Sequence, residues 1–384
     1  MTYIVELFPP GFMGRGFQLL ALSIEPTLVA GIEKDRAIFG SKEEFIALIQ
    51  VAGERALSLL RDKLIQPPRM FGNDHKPIQK ILGRTISKDE RRWDIAVKLV
   101  VDGILSDSVS LDNPRIVPMG LMKLNIFEKA RTMRGGIKPG SKSLLKEMTP
   151  AAFTLALVGG LLSKIGRVGS RGLYILPVPE AGTYDLDNIG LLYSLLVYTA
   201  SDSQLAPLGK LLVSGGAEKL PVSLDVLLLL YGSAFIAELL EEQVDETCMK
   251  VGGVDSKLNM LLIASVTESG NRAILNQLLP LLFSEILCKL GSKPLAILAP
   301  LLWRSVSTGV CGSDPDPGRK AVAHCVSKLF LYTLTDNDVY LYDCVRLLRG
   351  ISDSRQCIGQ KGVLDYAARV LSEYYARLRY TLTP

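Results

Sequence analysis

The pattern of apolar and polar positions predicts one short strand at the start of the chain and helices after it. Residues 3–8, Tyr-Ile-Val-Glu-Leu-Phe, are rich in β-forming side chains and end at Pro9-Pro10, which predicts a strand. Residues 11–16 contain three glycines around an arginine, which predicts a turn before a helix over 17–28 that Pro26 interrupts. The glycine order is G-x-x-G-x-G, so it does not match the G-x-G-x-x-G of a dinucleotide site.

Two capping boxes mark predicted helix starts. Ser41-Lys-Glu-Glu44 predicts a helix that continues to about residue 63, and Ser87-Lys-Asp-Glu90 predicts a helix that continues to about residue 105. In each helix apolar positions recur at helical spacing, which indicates one buried face. A further helix is predicted over 120–133.

One predicted helix differs from the others because it has no polar face. It begins at Thr149-Pro150, where a proline is tolerated in the first turn, and residues 151–162 are almost wholly apolar. We expect such a helix to be buried on all sides. A basic, glycine-rich loop over 164–172 follows it, and residues 173–178 predict a second strand.

From about residue 185 onward, apolar helical segments follow one another with short polar links. The predicted helices are 187–200, 203–214, 223–242, 254–268, 270–290, 293–308, 318–334, 336–349 and 362–379. They show no fixed repeat period, which favours an irregular helical bundle over a solenoid. The predicted fold class is therefore mainly α with a small β component. It has an α+β N-terminal part over 1–180 and a helical-bundle C-terminal part over 181–384.

Positive charge is concentrated in the N-terminal half of the chain. Residues 61–171 contain 21 lysines and arginines against 10 aspartates and glutamates, whereas the whole chain has a formal net charge of +5. The remainder must therefore be acidic overall. A local excess of positive charge is the electrostatic footprint of a phosphate-rich partner, so nucleic acid, DNA or RNA, is the expected ligand.

Two glycine-interrupted basic loops, 131–146 and 164–172, flank the apolar helix. Their backbone N–H groups, lysines and arginines suit contacts to phosphate. More cations surround the second capping box, where the positive end of a helix makes them unfavourable unless a ligand offsets the cost. The candidate nucleic-acid-binding residues are Arg84, Lys88, Arg91, Arg92, Arg131, Arg134, Lys138, Lys142, Lys146, Lys164, Arg167 and Arg171. A solvated surface is the simpler explanation for much of this charge, particularly along the helices.

The sequence contains no recognisable catalytic motif. The run Gly135–Lys142 nearly matches a P-loop, but Ser141 separates its second glycine from the lysine. The two histidines, His75 and His324, lie outside any zinc-binding or hydrolase pattern. We therefore expect no enzymatic activity, no cofactor and no metal.

The cysteines lie only in the last third of the chain. They are Cys248, Cys288, Cys311, Cys325, Cys344 and Cys357. None forms a C-x-x-C pair, so the usual zinc spacing is absent. Buried thiols and one or two structural disulfides, the latter in a hyperthermophile, both remain open. A metal site that joins His324 and Cys325 to a third ligand is a further alternative.

Two apolar runs decide whether the chain is expected to cross a membrane. Residues 226–237 are too few to span a bilayer, which needs roughly 20 apolar residues. The longer run over 275–303 is interrupted by three charged side chains. Residues 1–8 lack the features of a signal peptide. We therefore expect a cytoplasmic protein with no membrane partner.

The outline of the chain resembles a known family. It combines a basic N-terminal part with a short strand, the run Arg171-Gly-Leu-Tyr-Ile-Leu-Pro-Val-Pro179, and a Leu-rich helical C-terminal part. This layout resembles the large subunit of archaeal type I CRISPR interference (Cascade-like) complexes. The resemblance implies a non-catalytic subunit of a ribonucleoprotein complex that contacts target DNA or guide RNA in antiviral defence, beside other protein subunits.

No residue of that family can be assigned to this chain by motif, because the resemblance covers the chain only as an outline. The candidate residues therefore depend on the charge and glycine pattern alone. The alternative is a helical structural or scaffold subunit of another archaeal or viral complex, with no direct contact to nucleic acid.

Overall fold

The computed structural model describes most of the chain, with gaps. The described residues are 2–124, 147–177, 184–197, 226, 229–234, 237, 260–269, 272–281, 283–307, 309–311, 316–355, 357 and 361–381. The fold is mainly α with a small β component, as the sequence predicts. The chain forms two compact units. The first comprises Met1–Tyr193 and Met260–Pro280, and the second comprises Ser194–Asn259 and Leu281–Pro384.

The first unit contains helices and two antiparallel sheets. Its elements are β1 (Tyr3–Glu6), α1 (Met13–Leu22), β2 (Gly31–Glu33), β3 (Arg36–Phe39), α2 (Lys42–Arg61), α3 (His75–Leu82), α4 (Trp93–Leu105), α5 (Pro150–Ser163), β4 (Lys164–Val168), β5 (Arg171–Pro177), most of α6 (Leu186–Val197), β6 (Leu261–Ser269) and β7 (Arg272–Pro280). One sheet has the order β1-β3-β2 and the other has the order β4-β5-β6-β7.

Helix α5 is the centre of the first unit. All of its residues are buried, which confirms the prediction from its all-apolar sequence. Thr149 caps it by accepting a hydrogen bond from the Ala152 N–H. Gly159 lets α1 approach closely, since a Cβ at this position would lie 1.7 Å from the Phe17 carbonyl oxygen. Packing against a backbone, rather than chain flexibility, therefore explains this glycine.

A buried glutamine ties three elements of this core together. The Gln18 side chain on α1 accepts a hydrogen bond from the Phe8 N–H (2.7 Å) and donates to the carbonyls of Glu6 and Ala152. The Trp93 indole N–H on α4 likewise donates to a carbonyl of α5, that of Leu157 (2.8 Å). The buried polar groups of Gln18 and Trp93 are thus satisfied by backbone partners, which fixes how these helices meet.

Helix α1 corrects one sequence-based prediction. Residues 11–16 were predicted to form a turn, but the last four of them lie in the helix, which begins at Met13. A Cβ on Gly14 would lie 2.7 Å from the Phe8 ring, so this glycine serves close packing inside a helix. Arg15 is buried beside it, with its guanidinium 5.3 Å from the ring centroid of Tyr184.

The two capping boxes behave differently. Ser41 accepts a hydrogen bond from the Glu44 N–H and α2 begins there, as predicted. Ser87 and Glu90 make the reciprocal hydrogen bonds of a capping box, but the helix begins only at Trp93. The second box therefore closes a turn instead of starting a helix.

The β4-β5-β6-β7 sheet corrects two further predictions. Residues 164–172 were predicted as a loop, but they form strand β4, a tight turn and the start of β5. The helices predicted over 254–268 and 270–290 are instead strands β6 and β7 for most of their described length, followed by a short helix that begins at Phe283. β5 pairs with β6 from Arg171 opposite Thr267 to Pro177 opposite Leu261.

The second unit is helical in its described part, as predicted. Its elements are α7 (Phe283–Leu290), α8 (Ser292–Val306), α9 (Pro317–Thr335), α10 (Val339–Ser352) and α11 (Lys361–Thr381), with further helical residues between 226 and 237. Disulfides Cys325–Cys344 and Cys311–Cys357 cross-link it, so of the alternatives left open by the sequence the disulfides are present. Asp316 caps α9 by accepting hydrogen bonds from the Gly318 and Arg319 N–H groups.

Candidate nucleic-acid interface

The tip of the β4–β5 hairpin carries two of the predicted basic residues. Arg167 and Arg171 are both exposed, on either side of a turn in which Gly169 has a positive φ of 58°. Arg167 donates a hydrogen bond to the Gly169 carbonyl, which holds its side chain against the turn. In the strand register Arg171 lies opposite Val168. The turn therefore places both arginines at one end of the sheet, and because Arg167 lies opposite Gly172, the two side chains leave opposite faces of the hairpin.

A third arginine joins them from a distant part of the sequence. Arg69 donates through Nη1 to the Glu268 carbonyl on β6 (3.3 Å), and the Glu268 N–H donates to the Ser170 carbonyl in the hairpin turn (3.2 Å). We call Arg69, Arg167 and Arg171 the arginine edge. Sequence reasoning counted Arg69 in the basic stretch but did not select it, because its position depends on a strand more than 190 residues away.

Lys164, a third predicted residue of this loop, does not belong to the edge. Its ammonium lies 2.6 Å from a Glu268 carboxylate oxygen, and the two side chains are only 5% and 7% exposed. It also donates to the Pro67 carbonyl (3.3 Å). Lys164 was predicted to contact the ligand, but the structure places its ammonium in the interior, paired with Glu268, because the first residue of β4 faces inward.

The buried pair has a third member, Tyr174. Its hydroxyl donates to the other carboxylate oxygen of Glu268. Burial, together with the negative charge of Glu268, raises the pKa of Tyr174 well above its usual value. Burial lowers the pKa of Lys164, although the attraction of Glu268 opposes this shift. Both carboxylate oxygens of Glu268, whose backbone carbonyl holds Arg69, are thus engaged by interior partners.

The cations around the second capping box form a separate surface. Arg84 makes two hydrogen bonds to the Glu90 carboxylate, the shorter of 2.8 Å, and Arg92 pairs with Asp94 at 2.8 Å. The Arg84 hydrogen bonds lower the pKa of Glu90 to about 2. These two arginines are therefore neutralised locally.

The other two predicted cations of this turn remain available. Lys88 and Arg91 are exposed, and their side chains make no ion pair or hydrogen bond within the part of the chain that the structure describes. The prediction of four equivalent phosphate contacts thus reduces to two candidates at this turn.

The first basic loop cannot be assigned in the same way. Arg131, Arg134, Lys138, Lys142 and Lys146 lie outside the described residues. The described residues on either side of 125–146 have backbone hydrogen-bond partners in the first unit. The Leu124 carbonyl accepts from the Met13 N–H (2.9 Å), and Met148 exchanges two backbone hydrogen bonds with Ile116. The described residues on both sides of 125–146 therefore contact the core of the first unit.

Two structural features are absent from the described residues, a group of metal-binding side chains and a membrane-spanning helix. Across them, no three His, Cys, Asp or Glu side chains form a group that could hold a metal ion. None of the helices in this part of the chain combines the length and apolar content needed to cross a bilayer. The histidine His75 has its Nδ1 3.1 Å from the Gly72 carbonyl oxygen, so it is part of a local turn.

Comparison with known proteins does not place this chain in a family. No protein-family model matches it, and no curated protein matches it. Its function must therefore be argued from the geometry and charge of its own residues.

Proposed function

We propose that this protein binds nucleic acid through the phosphate backbone, with the arginine edge as the principal contact. The observation that carries the proposal is the lack of neutralisation at Arg69, Arg167 and Arg171. Within the described structure no carboxylate lies within the 4.0 Å of an ion pair from any of them. Three exposed guanidinium groups without an ion pair give this end of the sheet a positive potential, which attracts an anionic ligand.

The interior contacts of Glu268 strengthen this argument. Its backbone carbonyl positions Arg69, whereas its carboxylate is held by Lys164 and Tyr174 and is only 7% exposed. Glu268 thus positions Arg69 but does little to neutralise the arginine edge. Arginine also suits the role chemically, since its planar guanidinium can donate two parallel hydrogen bonds to one phosphate.

In its more specific form the proposal makes the chain a non-catalytic subunit of a ribonucleoprotein complex in the cytoplasm. The resemblance to the large subunit of Cascade-like complexes supports this form, with target DNA or guide RNA as ligand and other subunits as partners. The disulfides of the second unit are compatible with it, because intracellular proteins of hyperthermophiles are often rich in disulfides.

Salt-dependent binding tests the proposal. Short labelled single-stranded DNA, single-stranded RNA and duplex DNA are titrated by fluorescence anisotropy between about 50 and about 200 mM salt. The variant Arg69→Ala/Arg167→Ala/Arg171→Ala removes three phosphate contacts. We therefore expect the slope of log K against log salt to become shallower by about 2 to 3.

A matched control separates local contacts from general charge. Lys34, Lys42 and Lys98 are exposed and make no side-chain ion pair or hydrogen bond in the described structure. Replacing all three by alanine removes the same charge and should leave the slope within about 1 of the original. Equal losses in the two variants, or no binding at the lower salt concentration, would refute the arginine edge.

A structural role in a complex is the second candidate, and one observation favours it. Large apolar side chains are exposed around the connection between α9 and α10, namely Leu331, Leu334, Val339 and Tyr342. Such patches mark protein interaction surfaces more often than single exposed leucines do. If no nucleic acid binds, self-association that Leu334→Glu abolishes, measured by light scattering, would support this alternative.

A further inference from the structure

A cleft in the first unit is lined by three lysines. It lies between the first turns of α3 and the segment 117–123, and its volume is about 400 Å³. That volume falls in the usual range for small-molecule sites, about 300–1,000 Å³. The cleft is separate from the arginine edge, because the two share no residues.

The cleft has a defined shape because Asp74 joins its two walls. One carboxylate oxygen of Asp74 accepts from the Gly120 N–H (2.8 Å), and the other accepts from the Phe71 N–H (2.9 Å). The side chain is 8% exposed, and burial raises its pKa. Asp74 therefore acts as a structural support of the cleft, and its carboxylate also attracts the Lys123 ammonium.

The lysines of the cleft differ in how they are used. Lys80 donates to the Arg115 carbonyl (2.6 Å) and lies 3.8 Å from the Glu147 carboxylate, so the protein itself holds its ammonium. The ammonium groups of Lys76 and Lys123 have no hydrogen bond or ion pair in the described structure. Lys123 is only partly exposed, and burial lowers its pKa, although the attraction of Asp74 opposes this shift. A half-buried ammonium without a direct hydrogen bond or ion pair is unfavourable, and a bound anion offsets its cost.

The remaining walls indicate what kind of anion fits. Val117 is 48% exposed, and with Pro77 and Pro118 it gives the cleft an apolar side. The N-terminal end of α3 adds the positive potential of a helix start. The ligand should therefore combine a strongly anionic group with an apolar, planar or ring-shaped body.

We propose that this lysine cleft binds the phosphomonoester of a nucleotide, with Lys76 and Lys123 on the phosphate and the base or sugar against Val117 and Pro118. A phosphomonoester carries about −1.5 to −2 charges at neutral pH, compared with about −1 for a backbone phosphodiester. Two unpartnered ammonium groups match the monoester better. A cleft of this size also admits a single nucleotide more readily than the middle of a duplex.

The nucleotide has two possible sources, and they share this chemistry. It is either a free nucleotide or the 5′-terminal nucleotide of a strand. The free-nucleotide form is independent of nucleic-acid binding at the arginine edge, whereas the strand-end form rests on that proposed function.

The test compares ligands that differ only in the phosphate. Binding of AMP against adenosine is measured by calorimetry, and binding of a 5′-phosphorylated against a 5′-hydroxyl single strand is measured by anisotropy. A preference of about tenfold or more for the phosphorylated partner in either pair is expected, from the strength of charge-assisted hydrogen bonds. A phosphate preference seen only between AMP and adenosine identifies a free nucleotide as the ligand. A preference seen only between the two single strands identifies a strand end.

Variants then assign the preference to the cleft. Lys76→Ala/Lys123→Ala should abolish it, and Lys34→Ala/Lys98→Ala should retain it. If the first variant is not folded by circular dichroism, Lys76→Glu alone provides the same test on an exposed side chain. A phosphate preference of less than twofold in both pairs, or one that survives the cleft variants, overturns the proposal. Intact preference in the arginine-edge variant shows that the two surfaces act separately.

Discussion

The buried pair between Lys164 and Glu268 makes a sharp prediction about stability. Replacement of Lys164 by methionine keeps the apolar stem and removes the charge, so the Glu268 carboxylate keeps only the Tyr174 hydroxyl as a side-chain partner. Because both side chains of the pair are at most 7% exposed, solvent cannot compensate the remaining charge. Removing one member of a buried pair costs about 3–5 kcal/mol, and we expect a loss in this range.

The same reasoning predicts recovery when the whole cluster becomes apolar. In Lys164→Met/Glu268→Leu/Tyr174→Phe no buried charge and no unpaired hydroxyl remains. Replacing a buried charged cluster by apolar residues of similar volume is often neutral or stabilising by about 1–4 kcal/mol. We therefore expect the triple variant to be within about 1 kcal/mol of the original protein or more stable, although it departs further from the natural sequence.

Urea unfolding measures the stability of the first unit in both variants. The chain has two tryptophans, of which Trp93 is buried in the first unit and Trp303 lies in the second. In a Trp303→Phe background, fluorescence reports the first unit alone. A loss below about 1 kcal/mol for Lys164→Met would refute the buried pair. So would a triple variant as unstable as the single one.

The same variant distinguishes the two roles considered for Lys164. A direct phosphate contact predicts that Lys164→Met reduces the salt slope of nucleic-acid binding by about 0.7 to 0.9. The buried position predicts no change in that slope, as long as the variant is assayed under conditions where it remains folded.

Three further predictions concern pH, cross-links and glycine. The folded-state pKa of Glu90 is about 2, below its usual value of 4.5, so the contribution of Glu90 to stability is present above pH 4.5 and is lost as the pH falls toward 2. The melting temperature of Glu90→Gln should therefore fall less over this interval than that of the original protein. Parallel plots of melting temperature against pH for the two proteins would contradict the Arg84 contact. Closing loops of 19 and 46 residues should stabilise the second unit by about 3 kcal/mol for Cys325–Cys344 and about 4 kcal/mol for Cys311–Cys357. A reductant should therefore lower the free energy of unfolding of this unit by up to this amount, measured by Trp303 fluorescence in a Trp93→Phe background. An unchanged unfolding midpoint would count against both cross-links. Gly159→Ala should destabilise the protein by at least about 1–3 kcal/mol, because the new Cβ would overlap the Phe17 carbonyl. Gly350→Ala on α10, where the Cβ meets open space, should stabilise the protein by about 0.4–1 kcal/mol. Equal effects of the two substitutions in thermal unfolding would refute the close approach of α1 and α5.

The elements that sequence analysis predicted well are those with local signals. The capping box at Ser41 and the all-apolar run after Thr149 contain their own start and burial patterns, and α2 and α5 follow them. Strands β6 and β7 were predicted as helices because an apolar run of this length fits either structure. Gly270-Asn271, between the two strands in the sequence, is a recognised hairpin signal that would have favoured strands.

The candidate interface was only partly predictable for a physical reason. Charge and glycine spacing indicated Arg167 and Arg171, which lie at the hairpin turn. The inward position of Lys164 and the contribution of Arg69 depend on Glu268, which reaches the site only through strand pairing. No local pattern at residue 69 or 164 contains that information.

The separation of β5 and β6 in the sequence, where residues 194–259 of the second unit lie between them, has a consequence for protein synthesis. When β5 leaves the ribosome, its partner β6 has not been made, and the roughly 80 residues between them take about 4–16 s at 5–20 residues per second. During this interval β5, whose side chains from Gly172 to Pro177 are buried in the finished fold, has an unpaired apolar edge. This edge of β5 is therefore open to non-native strand pairing until β6, which ends at Ser269, has been synthesised.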